Sequence, residues 1–152
     1  MNPIIRILLV EDHLIARIGI SSVINMQPDM VVAAEAKNGK QGVEAFRRHL
    51  PDITLMDLRM GEMGGCEALQ IIRREYPDAK IIVLSSHTGD AEISRVLRLG
   101  ANGYVLKDVL EDELTDAVRT VHKGKKYIPT NVAQILSQYL GDETLTPSEQ
   151  RI

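Results

Sequence analysis

The sequence predicts an α/β protein in which parallel β-strands alternate with amphipathic helices. Five short apolar runs recur between residues 5 and 106, and each is nearly continuous rather than alternating. Such runs are typical of parallel strands that are covered on both faces. Segments with helical periodicity separate the runs, and this alternation favours right-handed βαβ units.

The five predicted strands follow one another along the chain at regular intervals. They span residues 5–10, 30–36, 52–56, 80–84 and 103–106. Ile, Leu, Val and Met dominate these runs, since the chain contains no Trp and the aromatic fraction is only 3%. We therefore expect an aliphatic core on each side of one sheet.

Helices are predicted between the strands from apolar residues at helical spacing. Pro51 and Pro77 end the second and third helices, because proline cannot continue a helix. The five apolar stripes are Leu14, Ile18, Val23 and Ile24; Val43, Phe46 and Leu50; Leu69, Ile72 and Tyr76; Ile93, Val96, Leu97 and Gly100; and Leu110, Leu114, Ala117, Val118 and Val121.

The chain changes character after Gly124. A sixth apolar stripe, in residues 132–140, is interpreted either as a further helix on the same domain or as a linker helix to a second domain. Thr146-Pro147-Ser148-Glu149 favours the linker, because it has the capping box and proline of a helix start. A helix of so few residues is unstable alone, so we expect the chain to be truncated at the start of that domain.

Composition excludes several classes of protein. A chain of 152 residues fits one domain with a modest appendage. The net charge of -3 gives no electrostatic reason to bind nucleic acid by itself. Cys66 is the only cysteine, which excludes a disulfide framework. No signal peptide is recognisable, and no apolar run approaches the roughly 20 residues that span a bilayer, so a cytoplasmic protein is expected.

Chemically active side chains follow four of the predicted strands. Glu11 and Asp12 follow the first, Asp57 the third, Ser85 the fourth and Lys107 the fifth. Since the carboxyl ends of parallel strands meet at one edge of a sheet, we expect these residues to form one site. Such carboxylates suit Mg²⁺, and an aspartyl carboxylate can accept a phosphoryl group whose oxygens the amine and the hydroxyl contact.

Each of these residues also has a simpler interpretation. The two acids suit a helix start, the lysine a solvated loop and the serine a helix cap. Tyr104 is interpreted as a partly buried aromatic residue or as a rotamer switch that responds to the site. The histidines lack the spacing of metal ligands, which favours surface or helix-end roles for His13, His49, His87 and His122.

Four segments together resemble the receiver domain of two-component response regulators. They are Leu-Leu-Val-Glu-Asp-His at 8–13, Asp-Ile-Thr-Leu-Met-Asp-Leu-Arg-Met at 52–60, Val-Leu-Ser-Ser at 83–86 and Gly-Ala-Asn-Gly-Tyr-Val-Leu-Lys-Asp at 100–108. Leu-Thr-Pro-Ser-Glu at 145–149 is similar to the start of the helix-turn-helix domain in the NarL/FixJ (LuxR-type) branch.

The resemblance implies a flavodoxin-like (βα)5 fold with a doubly wound parallel sheet, strand order 2-1-3-4-5 and a C-terminal linker helix. The implied domains are a receiver at 4–122, a linker at 123–143 and a truncated DNA-binding domain from 144 to 152. The implied partners are a sensor histidine kinase, a second copy of the phosphorylated chain, and DNA only through the missing C-terminal domain.

The resemblance also assigns roles to the site residues. Asp57 becomes the phosphoacceptor, Glu11, Asp12 and Asp57 the Mg²⁺ ligands, and Arg59 the donor of a backbone carbonyl to the metal. Ser85 and Lys107 would contact the phosphoryl group, and Ser85 and Tyr104 would form the switch. The protein would then be a signalling receiver that self-phosphorylates and slowly self-dephosphorylates, rather than an enzyme.

Two positions depart from the pattern of the family. Gly61 stands where proline is usual, and Gly64 where Asp or Asn is usual, which leaves the mobility of that loop open. Two alternatives remain: a relay module without DNA output, and a Mg-dependent aspartyl phosphatase. The phosphatase is disfavoured because Arg59 stands where such enzymes need a second Asp.

Overall fold

The computed structural model describes residues 3–58, 63–85, 90–107 and 110–128. Within these ranges strands and helices alternate strictly along the chain. The strands are β1 (Ile5–Val10), β2 (Met30–Ala36), β3 (Ile53–Asp57), β4 (Ile81–Ser85) and β5 (Gly103–Leu106). The helices are α1 (Leu14–Asn25), α2 (Gly39–His49), α3 (Gly65–Glu75), α4 (Asp90–Arg98) and α5 (Leu110–His122).

The five strands form one parallel sheet in the order β2-β1-β3-β4-β5. This confirms the fold class that the sequence predicted and the strand order that the resemblance implied. The bounds of β1, β2 and β5 are as predicted, whereas β3 and β4 each lie one residue later in the chain. Asp57 and Ser85 are therefore the last residues of their strands rather than the first residues beyond them.

Two hydrophobic cores cover the two faces of the sheet. Alternate residues of β1 contribute to opposite cores, Leu8 and Val10 to the first and Ile7 and Leu9 to the second. All four side chains are completely buried. In β1, β3, β4 and β5 the near-continuous apolar pattern thus follows from cover on both faces, as the sequence predicted. The prediction is wrong for the edge strand β2, of which only Met30 and Ala36 are buried.

The predicted apolar stripe of α1 is wrong at its N-terminal end. Leu14 and Ile18 are 58% and 53% exposed, and the buried residues of this helix are Arg17, Ile20 and Ile24. Apolar side chains occupy several faces of α1, so periodicity alone does not select the face that packs. The buried face contains Arg17, Ile20 and Ile24, at i, i+3 and i+7. This face packs against the sheet because the Arg17 guanidinium contacts the carbonyl of Glu11 and the carboxylate of Glu35 on β2.

The predicted stripe of α2 is wrong at Leu50, which is 56% exposed. Leu50 adopts the left-handed conformation at the end of the helix, with φ 46° and ψ 62°. Its amide donates to the carbonyl of Phe46 at 2.8 Å and so satisfies the helix end. The chain turns there before Pro51, and the Leu50 side chain points away from the core.

The segment that follows α5 returns along the edge of the sheet. Tyr127 forms a parallel bridge with Gly103, its amide donates to Asn102, and its carbonyl accepts from the Tyr104 amide at 3.0 Å. Tyr127 and Ile128 pack against opposite cores. We call residues 125–128 the edge segment. The predicted linker helix and capping box lie in residues 129–152, outside the described part of the chain.

No described helix has both the length and the apolar character that crossing a membrane requires.

Candidate functional site

The topology of the sheet brings the ends of β1, β3, β4 and β5 to one edge. Val10 pairs with Met56, so Glu11 and Asp57 follow at neighbouring positions. Asp57 pairs with Leu84, which precedes Ser85. Ser85 pairs in turn with Leu106, which precedes Lys107. The predicted site residues therefore converge because parallel strands end together.

Lys107 links two of the predicted carboxylates directly. Its Nζ lies 2.9 Å from Oε1 of Glu11 and 3.1 Å from Oδ1 of Asp57. The Glu11 side chain is completely buried and that of Asp57 is 4% exposed, whereas that of Lys107 is 22% exposed. The ammonium therefore holds two buried carboxylates together at the sheet edge.

The pKa shifts of Glu11 and Lys107 both favour the charged forms of these side chains. Burial opposes ionisation of Glu11, but hydrogen bonds from Lys107 and His13 outweigh it and lower the pKa of the carboxyl. Burial likewise favours the neutral amine of Lys107, but the hydrogen bonds and charges of Glu11 and Asp57 raise the pKa of its ammonium. The site thus contains a full cation in contact with carboxylates at neutral pH.

Glu11, Asp12, His13 and Asp57 form a compact cluster of potential metal ligands. One donor atom from each lies within 4.8 Å of those of the others. Carboxylate oxygens are the ligands that Mg²⁺ prefers, and a divalent cation would relieve repulsion among the three acids. Since Asp12 is exposed while Glu11 is buried, the cluster is open to solvent on one side. These residues fit a hydrated divalent cation.

His13 lies closer to this cluster than the sequence interpretation suggested. It occupies the N-cap position of α1 but makes no side-chain capping hydrogen bond, and its side chain is 70% exposed. Its Nδ1 also lies 3.0 Å from Asp12 and 3.1 Å from Glu11, within hydrogen-bonding distance of both carboxylates. The spacing of the four histidines gave no sign of this proximity, although Glu11 and Asp12 directly precede His13 in the chain.

Ser85 and Tyr104 are both buried next to the site. Ser85 is 2% exposed at the end of β4, and Tyr104 is completely buried on β5. Tyr104 pairs with Val83, two residues before Ser85 on the neighbouring strand. This placement is compatible with the predicted switch pair. Arg59, whose carbonyl is a predicted metal ligand, and Gly61 lie outside the described residues.

Gly65 allows α3 to begin directly against the end of β3. A Cβ at this position would clash with the carbonyl oxygen of Asp57 and lie 2.8 Å from Cα of Leu58. The Gly65 amide donates to the carbonyl of Leu58 at 3.2 Å. The sequence pattern drew attention to Gly64 only as a departure from the family, whereas the structure shows close backbone packing of Gly65 behind the Asp57 carboxylate.

Arg17 contributes to the site and was missed from the sequence. Its Nη1 donates to the backbone carbonyl of Glu11 at 3.0 Å, and the bond is buried. The available signal was its spacing, because Arg17, Ile20 and Ile24 stand at i, i+3 and i+7 on one helical face. An arginine in an otherwise apolar stripe indicates a buried partner for its charge.

The chain is similar to transcriptional regulators over most of its length. The chain is 39% identical to the transcriptional regulatory protein LiaR of Bacillus subtilis over 97% of its own length and 74% of the relative's. It is 36% identical to the transcriptional regulatory protein DegU of Brevibacillus brevis over 87% of its length, but it covers only 56% of that protein. The chain thus spans between half and three quarters of these relatives.

A solved structure shares both the fold and part of the sequence. The two-component response regulator of the LuxR family from Aurantimonas sp. SI85-9A1 has a TM-score of 0.85 and 33% identity, covering 90% of this chain and 97% of its own. Residues 7–119 match the response regulator receiver domain as a family. Since the match includes every described residue of the candidate site, the chain belongs to the response regulator receiver family.

Proposed function

We propose that Asp57 accepts a phosphoryl group from the phosphohistidine of a sensor histidine kinase, in a Mg²⁺-dependent reaction that switches a transcriptional output. The contact of Lys107 with both Asp57 and Glu11 is the observation that carries this proposal. It combines a candidate nucleophile, a fixed positive charge and a cluster of potential metal ligands at one sheet edge. Phosphoryl transfer to a carboxylate needs these three components.

In the proposed step an oxygen of the Asp57 carboxylate attacks phosphorus. The bond from phosphorus to the donor histidine breaks, and an acyl phosphate forms while the donor nitrogen keeps the electron pair. Lys107 neutralises one phosphoryl oxygen as a point charge, and the hydroxyl of Ser85 donates to another. Bound Mg²⁺, held by Glu11, Asp12 and Asp57 with the Arg59 carbonyl, would supply further neutralisation of the phosphoryl charge. Attack by water later restores Asp57.

The edge segment offers a way in which a structural change at this site could reach the predicted linker. On phosphorylation of Asp57, Lys107 must exchange a carboxylate partner for a phosphoryl oxygen. Because Lys107 directly follows β5, this exchange would act on the end of that strand. The neighbouring edge of β5 is hydrogen-bonded to Tyr127, whose hydroxyl donates to Glu113 of α5 at 3.1 Å. Burial and this bond raise the pKa of Tyr127 to about 12, so the hydroxyl stays a donor. A shift of β5 would therefore reposition the start of the predicted linker.

The proposed transcriptional output is supported by the names of two relatives. LiaR and DegU are named as transcriptional regulatory proteins. We propose the same output here, with the receiver at 4–122, the linker at 123–143 and the start of a DNA-binding domain at 144–152. The phosphorylated chain is expected to form a homodimer in the cytoplasm. Light scattering before and after phosphorylation tests the dimer.

Intact-mass spectrometry after incubation with Mg²⁺ and acetyl phosphate tests the phosphoacceptor. Wild type should gain one labile phosphoryl group, and chelation of Mg²⁺ should prevent the gain. Asp57→Asn should abolish it, whereas Asp78→Asn, at an exposed position near the end of α3, should not. An unmodified wild type in the presence of Mg²⁺ would refute phosphorylation at Asp57 and favour a receiver that acts by binding alone.

A further inference from the structure

Arg17 is a buried cation in a helix whose other buried residues are apolar. It is 9% exposed and shares its face of α1 with Ile20 and Ile24. Burying a guanidinium is unfavourable unless its donors are satisfied, and a similarly sized apolar side chain often packs at lower cost. The bonds that Arg17 forms therefore indicate what its charge contributes.

Those bonds connect the end of β1 to the neighbouring edge strand. Nη1 of Arg17 donates to the Glu11 carbonyl at 3.0 Å, and its Nε lies 3.2 Å from Oε1 of Glu35 on β2. Ser21 of α1 donates to Oε2 of the same carboxylate at 3.0 Å. Glu35 thus neutralises the guanidinium and orients it toward the Glu11 carbonyl.

The amide side of Glu11 is fixed by the same edge strand. The Glu11 amide donates to the carbonyl of Ala36 at 3.0 Å, and Ala36 directly follows Glu35 on β2. The carbonyl of Glu11 lies beyond the last strand pair of β1, so its bond to Arg17 replaces the continuation of the ladder. The Glu11 amide is therefore hydrogen-bonded directly to β2, and the Glu11 carbonyl is linked to β2 through Arg17.

We propose that Arg17 is a positioning residue that fixes the peptide between Glu11 and Asp12 and thereby sets the divalent-cation affinity of the site. The proposal rests on the cation site of the proposed function. Rotation of this peptide would move the Glu11 and Asp12 carboxylates relative to Asp57, since both depend on its orientation. Outer-shell partners of metal ligands commonly change metal affinity by about 10–100-fold.

Isothermal titration of the whole chain with Mg²⁺ tests the proposal, with urea unfolding of each variant beside it. Arg17→Met should bind Mg²⁺ at least about 10-fold more weakly than wild type. Glu35→Gln removes the charge of the ion pair, but its amide oxygen can still accept from Nε of Arg17 and so keep the guanidinium directed at the Glu11 carbonyl. Its Mg²⁺ affinity should therefore stay within about threefold of wild type while its stability falls. The matched control Arg48→Met, at an exposed position of α2, should leave both quantities unchanged.

Arg17→Lys keeps the charge and provides the result if Arg17→Met does not fold. A single ammonium cannot reproduce the two-sided bonding of the guanidinium, so Mg²⁺ binding should weaken by about threefold or more. A folded Arg17→Met whose affinity lies within twofold of wild type would overturn the positioning role alone. A wild type that binds no Mg²⁺ would overturn the cation site of the proposed function and this inference with it.

Discussion

Replacing Lys107 with methionine removes the cation between two buried carboxylates. At 2.9 and 3.1 Å, each contact is worth about 5–6 kcal/mol at an effective dielectric constant of about 20, before desolvation is subtracted. Desolvation of the ammonium, whose side chain is only 22% exposed, offsets much of this gain. Since the variant removes the ammonium that contacts both Glu11 and Asp57, we expect a net loss of about 3–5 kcal/mol in the free energy of unfolding.

Magnesium should reduce this loss. A bound divalent cation would neutralise the same acids, and the variant lacks the ammonium that competes for them. The stabilisation by Mg²⁺, which is about 2.7 kcal/mol at 100 times the dissociation constant, should therefore be larger at equal concentration in Lys107→Met than in wild type. Urea unfolding with and without Mg²⁺ measures both effects, and Lys40→Met at an exposed position is the control.

Two results would refute this reasoning. The first is a Lys107→Met protein that unfolds within about 1 kcal/mol of wild type in Mg²⁺-free buffer, since a buried pair cannot be broken at so small a cost. The second is an equal stabilisation of variant and wild type by Mg²⁺. That result would mean that lysine and the cation do not share the carboxylates.

Three further predictions concern the packing and the charges around the site. Ile24→Ala should cost about 2–5 kcal/mol because the side chain is completely buried, whereas Ile18→Ala, exposed on the same helix, should change stability by less than about 0.5 kcal/mol; equal losses in urea unfolding would contradict the orientation of α1. Gly65→Ala should cost about 1–3 kcal/mol and slow phosphorylation, because the new Cβ clashes with the carbonyl of Asp57; unchanged stability and an unchanged rate by intact mass would exclude a need for this close approach. Glu11 has a lowered pKa, so its contribution to stability is present above the unfolded pKa of about 4.3 and is lost as pH falls through the lower folded value. Wild type should therefore lose more stability than Glu11→Gln between about pH 5 and pH 3, and parallel denaturation curves would be inconsistent with that shift.

The sheet and the convergence of the site could be predicted because both follow from local patterns. Continuous apolar runs define parallel strands, and the carboxyl ends of such strands meet. Glu11, Asp57 and Lys107 were therefore placed together without any knowledge of distances. The one-residue shifts of β3 and β4 could not be predicted, because strand ends are set by pairing with neighbours rather than by the hydrophobicity of the strand itself.

The orientation of α1 and the role of Arg17 depend on contacts far from the helix in sequence. Leu14, Ile18 and Ile24 are equally apolar in the sequence, yet only Ile24 is buried. The buried face of α1 is determined by Glu35 on β2 and by the Glu11 carbonyl, because these groups outside the helix bond to the Arg17 guanidinium. The spacing of Arg17 with Ile20 and Ile24 indicates that a buried partner exists, but not which residues provide it. The sequence therefore predicted the helix but not its buried face.

The edge segment has a practical consequence for the boundaries of the folded unit. An uncovered edge strand presents free amide and carbonyl groups that invite pairing with another chain. The backbone of Tyr127 occupies these groups at Asn102 and Tyr104, beyond the last helix of the receiver. A fragment cut directly after α5 would expose the β5 edge and should self-associate, whereas one that extends through Ile128 keeps its edge covered.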